Sequence, residues 1–218
     1  MAQKRAGGGM SEQRRARLRL EISREAARLF WAQGVAGTSG DQIAEAVGLS
    51  TRTIWRHFRT KESCAEPIVM QAGITLTDVL RAWPRTLTLQ EHLTAALGEL
   101  TPETLPVNLG DELLGMQMIR LAECEPALRT AWLMACHQVE TKLRVIFADR
   151  LQRSADDLDV RKHAAAASGA LRVLDEHVGA AVLADPHANE FGDVAHVARL
   201  YAEALSTATG GAVGGASE

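Results

Sequence analysis

The 218-residue sequence contains few aromatic residues and few cysteines, and each shortage narrows the choice of fold. Phe, Trp and Tyr make up only 4% of the residues, whereas Ala and Leu recur along the whole chain. Because β-sheets favour aromatic and β-branched residues, this composition predicts an all-α protein. The three cysteines, Cys64, Cys124 and Cys136, are widely spaced and odd in number, which argues against a disulfide framework and for reduced thiols in the cytoplasm.

Long apolar runs and catalytic signatures are also missing from the sequence. No stretch approaches ~18 uninterrupted apolar residues, so we expect no transmembrane helix and no membrane partner. The basic N-terminus is followed by no apolar core and therefore does not resemble a secretory signal. There is no P-loop, no GxGxxG and no GxSxG, and the histidines and cysteines show no metal-ligand spacing. We therefore expect no enzyme, catalytic residue, metal or cofactor.

What the sequence does contain is an uneven distribution of charge. Residues 1–62 carry 12 Lys and Arg against 6 Asp and Glu, whereas residues 63–218 carry 12 against 21. A small basic module is thus joined to a larger acidic one, and this asymmetry favours a polyanionic partner for the basic part. The arginines near its start, Arg14, Arg15, Arg17 and Arg19, fit phosphate contacts and a solvated helix end equally well.

Helix signals along the chain predict two helical domains. We expect a flexible N-terminal arm at 1–10, a three-helix domain at 11–62, a larger helical domain at 63–208 and a disordered tail at 209–218. The larger domain should contain about six helices, placed at 61–82, 88–100, 109–124, 127–153, 157–184 and 190–208. The first of these crosses the domain boundary, and Pro67 should kink it or delay its regular start.

The basic module has the spacing of a helix-turn-helix DNA-binding domain. Ser39 and Gln42 form a capping-box sequence, and Ser50 is a good N-cap for a third helix that ends near His57. Between these caps, Ala44 allows a close helix crossing and Gly48 can adopt the positive φ of the tight turn.

The exposed face of the third helix carries hydrogen-bond donors and no acidic group. Its members are Thr51, Arg52, Thr53, Trp55, Arg56 and His57. Phosphates accept hydrogen bonds and repel carboxylates, and base edges are read by side chains such as Arg and Thr. This pattern favours contact with duplex DNA.

The stretch from Thr38 to Glu62 resembles the DNA-binding signature of the tetracycline-repressor (TetR) family of transcriptional regulators. The resemblance is carried by Ile43-Ala44, Gly48-Leu49-Ser50, Thr53-Ile54-Trp55, His57-Phe58 and Lys61-Glu62. It implies backbone contacts from Thr53, Trp55, His57 and Lys61, base reading by Thr51 and Arg52, and further contacts from Ser39 and Gln42. The chain departs from the pattern in having Trp55 for the more usual Tyr, and Gly40 and Asp41 where a basic residue is often found.

The resemblance also implies a role for the acidic module. In this family the C-terminal domain dimerises through its last long helices and encloses a small-molecule pocket, so we expect a ligand-responsive repressor that binds a palindromic operator as a homodimer. Small residues along 164–182 favour a dimer seam over an interior core position. Candidate pocket residues, each of a type that is also common in plain cores and on surfaces, are Trp83, Met116, Arg120, Met134 and His137. The C-terminal half faintly resembles regulators that respond to acyl-coenzyme-A-like or other lipophilic ligands.

A second hypothesis is a dimeric DNA-binding protein whose C-terminal domain only dimerises or binds a protein partner. The two hypotheses differ in whether the acidic helices enclose a cavity of ~300 Å³ or more, lined by apolar and a few polar groups.

Overall fold

The computed structural model describes residues 6–71, 73–99, 109–185 and 194–215, and within these ranges the chain is helical with no β-strand. The all-α prediction is therefore confirmed. The helices are α1 (Ala6–Gly37), α2 (Gly40–Ala46), α3 (Thr51–His57), α4 (Glu66–Gln71), α5 (Ile74–Arg81), α6 (Leu89–Gly98), α7 (Leu109–Leu121), α8 (Pro126–Leu151), α9 (Leu158–Ala184) and α10 (Val194–Ala208), with a 3-10 helix at Glu62–Ala65.

Helices α1 to α3 form the predicted helix-turn-helix, and the predicted caps define its corners. Gly34 has a φ of 79° and ends the regular part of α1. The capping box of α2 is complete, with the Ser39 amide 2.8 Å from Oε1 of Gln42 and the Gln42 amide 3.2 Å from Oγ of Ser39. Gly48 has a φ of 67° in the turn, and the Ser50 side chain caps α3. Because only glycine adopts such φ values without strain, Gly48 allows the sharp corner.

One hydrophobic core joins helices α1 to α3, called the head below, to the larger domain. Phe30, Ile43 and Ile54 from the helix-turn-helix belong to the same buried cluster as Ile68 of α4 and Met118 of α7. The amide of Ile68 also donates to Oγ of Ser23 at 3.0 Å, in the interior. The head is thus connected to the rest of the chain by packed helices.

The predicted helix over 61–82 is wrong, because the structure divides this segment into three. The 3-10 helix at Glu62–Ala65 leads into α4, whose first turn contains Pro67, and α5 begins separately after Gly73. The proline delays the regular helix, as expected, because it has no N–H to donate and suits only a first turn. Gly73 has a φ of 78°, a left-handed conformation that turns the chain between α4 and α5.

The described parts of both predicted terminal segments differ from the prediction, and residues 1–5 and 216–218 lie outside the described residues. Helix α1 begins at Ala6, within the segment predicted as an arm. Residues 209–215, predicted as a disordered tail, are packed, with Val213 only 1% exposed and the Leu89 amide donating to the Gly214 carbonyl at 2.9 Å. Arg150 donates to the Gly215 carbonyl at 2.6 Å and stacks 3.5 Å from the centre of the Trp83 ring. A buried guanidinium needs carbonyl acceptors, and this segment supplies one of them.

The larger domain is built around the long antiparallel pair α8 and α9. The Ser168 hydroxyl of α9 donates to the Cys136 carbonyl of α8 at 2.9 Å, and Glu176 accepts from Arg129 at 2.5 Å and from Trp132 at 2.9 Å. A second apolar cluster packs α5, α6 and α10 onto this pair, with Leu93, Phe147 and Leu205 at 0% exposure. This arrangement leaves a partly open cavity beside α7.

Candidate functional site

The recognition surface predicted on α3 is exposed in the structure. Ile54 is fully buried and holds α3 against the head, whereas Trp55 is 44% exposed and Arg52 and Arg56 are exposed. Neither arginine makes a side-chain hydrogen bond within the described ranges. Their guanidinium donors are therefore available for an external acceptor such as a phosphate or a base edge.

Trp55 lies against the backbone of α2 at Gly40. A Cβ added to Gly40 would come within 2.7 Å of Cη2 of the Trp55 ring and closer still to Cζ2. Real side chains do not approach so closely, so the indole can occupy this place only because residue 40 is glycine. The departures from the family pattern at Trp55 and Gly40 are thus the two sides of one contact, which the sequence did not reveal.

Asp41, which departs from the family pattern together with Gly40, joins α2 to α3. Its Oδ1 accepts a hydrogen bond from the Thr51 hydroxyl at 2.6 Å. The Thr53 hydroxyl is likewise 2.9 Å from Oγ of Ser50, and Ser39 and Gln42 hold each other in the capping box. The Ser, Thr and Gln residues predicted as DNA contacts therefore form hydrogen bonds that stabilise the helix-turn-helix. The larger exposed donors on α3 are Arg52, Arg56 and the Trp55 indole.

His57 is the last residue of α3 and lies beside α1. Its carbonyl accepts a hydrogen bond from Nη1 of Arg19, whose guanidinium lies 4.4 Å from the centre of the Phe58 ring. Burial lowers the pKa of His57, and the charges of Arg56 and Arg19 lower it further. The imidazole is therefore mainly neutral at pH 7, and any contact with a phosphate would use an N–H donor rather than a positive charge.

Lys61 is placed at the corner between α1 and α2. Its Nζ donates to the carbonyl of Val35 at 2.6 Å and to that of Thr38 at 2.8 Å. An ammonium has three N–H donors, so one remains beyond these two. The phosphate contact predicted for Lys61 stays a prediction, and the structure adds a bracing role that the sequence did not indicate.

The larger domain contains a cavity of about 220 Å³ bounded by α4, α5, α6, α7, α9 and α10. Leu76, Met116, Ile119, Val178 and Val197 give it an apolar wall, and its titratable lining groups are Glu112, Asp175 and Tyr201. The volume is below the ~300 Å³ at which drug-sized pockets begin, so the cavity suits a compact ligand.

The five predicted pocket residues do not form one site, and only Met116 lines this cavity. Trp83 is buried in the second core and donates to the Leu87 carbonyl at 2.9 Å, while Arg120 is exposed and pairs with Glu123. Met134 is 53% exposed, and the exposed His137 lies 4.0 Å from Glu140. Residue type and helical spacing show which residues suit a pocket and share a face, as Met116 and Arg120 do at a spacing of four, but not which helix that face meets.

Burial makes the carboxyl groups of this cavity hard to ionise. It raises the pKa of Asp175 to about 6, although the Tyr201 hydroxyl donates to Oδ1 at 2.7 Å and opposes the shift. Burial also raises the pKa of Glu112, opposed by a 3.4 Å hydrogen bond from Thr75. The pKa of Tyr201 is raised by burial and by the charges of Asp175 and Glu112, so both carboxyl groups act on the same phenol.

A bidentate ion pair connects the head to the wall of the cavity. Nε and Nη2 of Arg24 in α1 lie 2.7 and 2.8 Å from the two carboxylate oxygens of Asp111 in α7, which is 5% exposed. This hydrogen bond and the charge of Asp111 raise the pKa of Arg24. Asp111 directly precedes Glu112, which lines the cavity. The ion pair therefore links the cavity wall to the head.

A basic helix-turn-helix head joined by packed helices to a domain with a cavity defines a class of protein, the DNA-binding regulators. Residues 22–68 match the family described as bacterial regulatory proteins, tetR family. The HTH-type transcriptional regulator TcmR of Streptomyces glaucescens is 35% identical over 155 residues, which cover 69% of this chain and 68% of that protein. The chain belongs to the TetR family, as predicted; it is a DNA-binding transcriptional regulator.

Solved structures share the fold at lower identity. GusR of Salmonella enterica has a TM-score of 0.52 with 20% identity, covering 88% of this chain and 94% of its own. A tetR-family transcriptional regulator from Streptomyces coelicolor has a TM-score of 0.52 with 19% identity, covering 88% of this chain and 81% of its own.

Within the described residues, none of the helices combines the length and the hydrophobicity that a membrane span requires.

Proposed function

We propose that this chain is a cytoplasmic, ligand-responsive repressor that binds a palindromic operator as a homodimer. The observation that carries the proposal is the Arg24–Asp111 pair, because it joins the DNA-binding head to the helix that lines the cavity. The cavity of about 220 Å³ is smaller than the ~300 Å³ that would separate a ligand pocket from a domain that only dimerises or binds a protein, so the proposal rests on the ion pair and not on the cavity volume.

The proposed DNA contacts centre on α3. Arg52 and Arg56 enter the major groove, where an arginine can form two hydrogen bonds with a guanine edge. Thr53, Trp55, His57 and Lys61 contact the sugar-phosphate backbone, and Ser39, Gln42 and Thr51 add contacts where their hydrogen bonds within the corner leave an atom free. The exposed indole and the exposed guanidinium groups support this arrangement.

The proposed dimer forms through the outer faces of α8 and α9. Leu133 of α8 and Val173 of α9 are 46% and 56% exposed, and a second copy packed on this face would bury both side chains. Small residues beside Val173 on α9, Ala166 and Gly169, would let a second copy approach closely. A two-fold dimer presents two heads to half-sites ~34 Å apart, which one head cannot span.

The proposed regulation is a difference in ligand affinity between two arrangements of the heads. A ligand that binds better when the heads are wrongly spaced weakens operator binding by its coupling free energy, and by no more than that. The path runs from α7 through Asp111 to Arg24, and from α4 through Ile68 to Ser23.

The test is to select genomic fragments with the purified protein and then to screen metabolites for release of the selected DNA. We expect one palindromic motif to be enriched and at least one compound to weaken its binding. Enrichment of a motif that no compound affects would support the alternative of a DNA-binding protein that only dimerises or binds a protein. Failure to enrich any sequence would overturn the proposal.

A further inference from the structure

The cavity beside α7 has an apolar wall and an acidic polar part. Glu112 projects from α7, Asp175 from α9 and Tyr201 from α10, and all three line the same space. Among the described residues that line it there is no Lys, Arg or His. In such surroundings a carboxylate is costly unless a positive charge or several donors accompany it.

Two other shielded carboxylates of this chain, Asp111 and Glu176, have cationic partners. Asp111 is paired with Arg24, and Glu176 accepts from both Arg129 and Arg172. In the described part of the chain, Glu112 and Asp175 have only neutral partners, the hydroxyls of Thr75 and Tyr201. Among the described residues, these two carboxyl groups therefore lack the counter-charge that Asp111 and Glu176 have.

We infer that the cavity binds a compact, largely apolar molecule carrying a protonated amine or amidine, whose charge lies between Glu112 and Asp175. The inference rests on the proposed function and specifies its ligand class. A volume of about 220 Å³ equals roughly seven waters at ~30 Å³ each, enough for one substituted ring. An acyl-coenzyme-A-like ligand is disfavoured, because its phosphates are anionic and it exceeds this volume.

The raised pKa values of both carboxyl groups agree with this ligand class. Each pKa is raised mainly by burial, so a bound cation would favour the ionised form and lower both pKa values. The Tyr201 hydroxyl would orient Asp175 while its second oxygen stays available. Met116 offers a polarisable contact to an aromatic ring.

The experiment compares three probes of equal shape and different charge: benzamidine, benzamide and benzoate. Calorimetry measures their affinities for the wild-type protein, for Glu112→Gln and Asp175→Asn, and for Glu203→Gln, an exposed carboxylate on α10 that serves as the matched control. Spectra of ¹³C-methyl-labelled methionines, with Met116→Leu for assignment, report whether the probe enters the cavity.

We expect benzamidine to bind about tenfold or more tightly than benzamide, as a charge-assisted hydrogen bond predicts, with benzoate weakest. Each cavity variant should remove most of this preference, and Glu203→Gln should retain it. Equal binding of benzamidine and benzamide, or a preference that both cavity variants keep, would overturn the inference. If either variant unfolds, the wild-type preference and the Met116 methyl shift still decide the question.

Failure of the inference and failure of the proposed function are distinguishable. If the cavity shows no preference for benzamidine but some other compound releases the selected DNA, the ligand class is wrong and the regulator stands. If benzamidine binds beside Met116 but no compound changes DNA binding, the ligand class stands and the regulation is wrong.

Discussion

The buried carboxyl group of Asp175 lowers the stability of the folded protein when it is ionised. Its carboxyl group is held in an apolar cavity, where the hydrogen bond from Tyr201 offsets only part of the cost of burial, and the neighbouring charge of Glu176 adds to that cost. A group whose folded pKa is raised binds more protons when folded than when unfolded. Stability should therefore fall as the pH rises from 3.8, the ordinary value, to about 6.

This cost should disappear in Asp175→Asn, which keeps an oxygen to accept from Tyr201. Compared with the wild-type protein, the variant should gain thermal stability above about pH 6 and lose that advantage near pH 4. Melting temperatures of both proteins between pH 4 and pH 8 check this. A difference in melting temperature that stays constant over the range would contradict the raised pKa.

The contact between Trp55 and Gly40 predicts a coupled effect. Gly40→Ala should force the indole out of its place, lower stability by about 1–3 kcal/mol as other overpacking substitutions do, and weaken DNA binding. In a Trp55→Ala background the same substitution should cost almost nothing, because no ring remains to be displaced. Urea unfolding of the four proteins measures this coupling. Equal costs in both backgrounds would show that the contact does not form.

At this scale the sequence predicts local features well and distant ones poorly. The caps at Ser39 and Ser50 follow from spacing alone, since the interacting groups lie within four residues of one another. Glu112 and Asp175 are 63 positions apart and meet only because α7 packs beside α9. No local signal identifies such a pair.

At the scale of elements, the connections of α1 matter more than its own sequence suggests. In the sequence of α1, Arg24 is an ordinary residue of a type that is usually exposed. Only the packing of α7 across α1 brings Asp111 to it. The break at Gly73 was likewise missed, because a glycine within a helical pattern is often tolerated.

The Arg24–Asp111 pair should carry ligand coupling as well as stability. Asp111→Asn should lower the unfolding free energy by about 1–3 kcal/mol, since it weakens a charge-assisted hydrogen bond to a buried group. It should also bring the ratio of operator affinities without and with a releasing compound closer to one. Fluorescence anisotropy on labelled operator measures that ratio, with Asp78→Asn, half of an exposed pair on α5, as the control. An unchanged ratio in a folded Asp111→Asn protein would remove the pair from the pathway.

At the scale of the whole molecule, the small residues of α9 have two uses. Ala164, Ala167 and Gly179 face the core, where a Cβ on Gly179 would lie 3.5 Å from Met116. Ala166 and Val173 face outward, where we propose the second copy packs. The sequence pattern could not separate these uses, because alanine suits a core crossing and a dimer seam equally well.

A charge in the proposed seam should break the dimer. Because two-fold symmetry introduces the substitution twice, Val173→Glu should shift the protein from dimer to monomer and weaken operator binding by about tenfold or more. Val145→Glu is the control: Val145 is 65% exposed on α8 but lines a cleft beside Trp83. Sedimentation velocity measures both. A Val173→Glu protein that stays dimeric would place the seam elsewhere.

The most direct test of the account is the sequence preference of an Arg52 variant. Selection from a library of the enriched operator should show that Arg52→Ala loses preference at one position in each half-site, at a cost of ~1–3 kcal/mol, while preferences elsewhere persist. Arg161→Ala, an exposed arginine on α9, should leave the preference unchanged. If Arg52→Ala enriches the same sequences with the same affinity as the wild-type protein, α3 does not read the DNA and the central claim is contradicted.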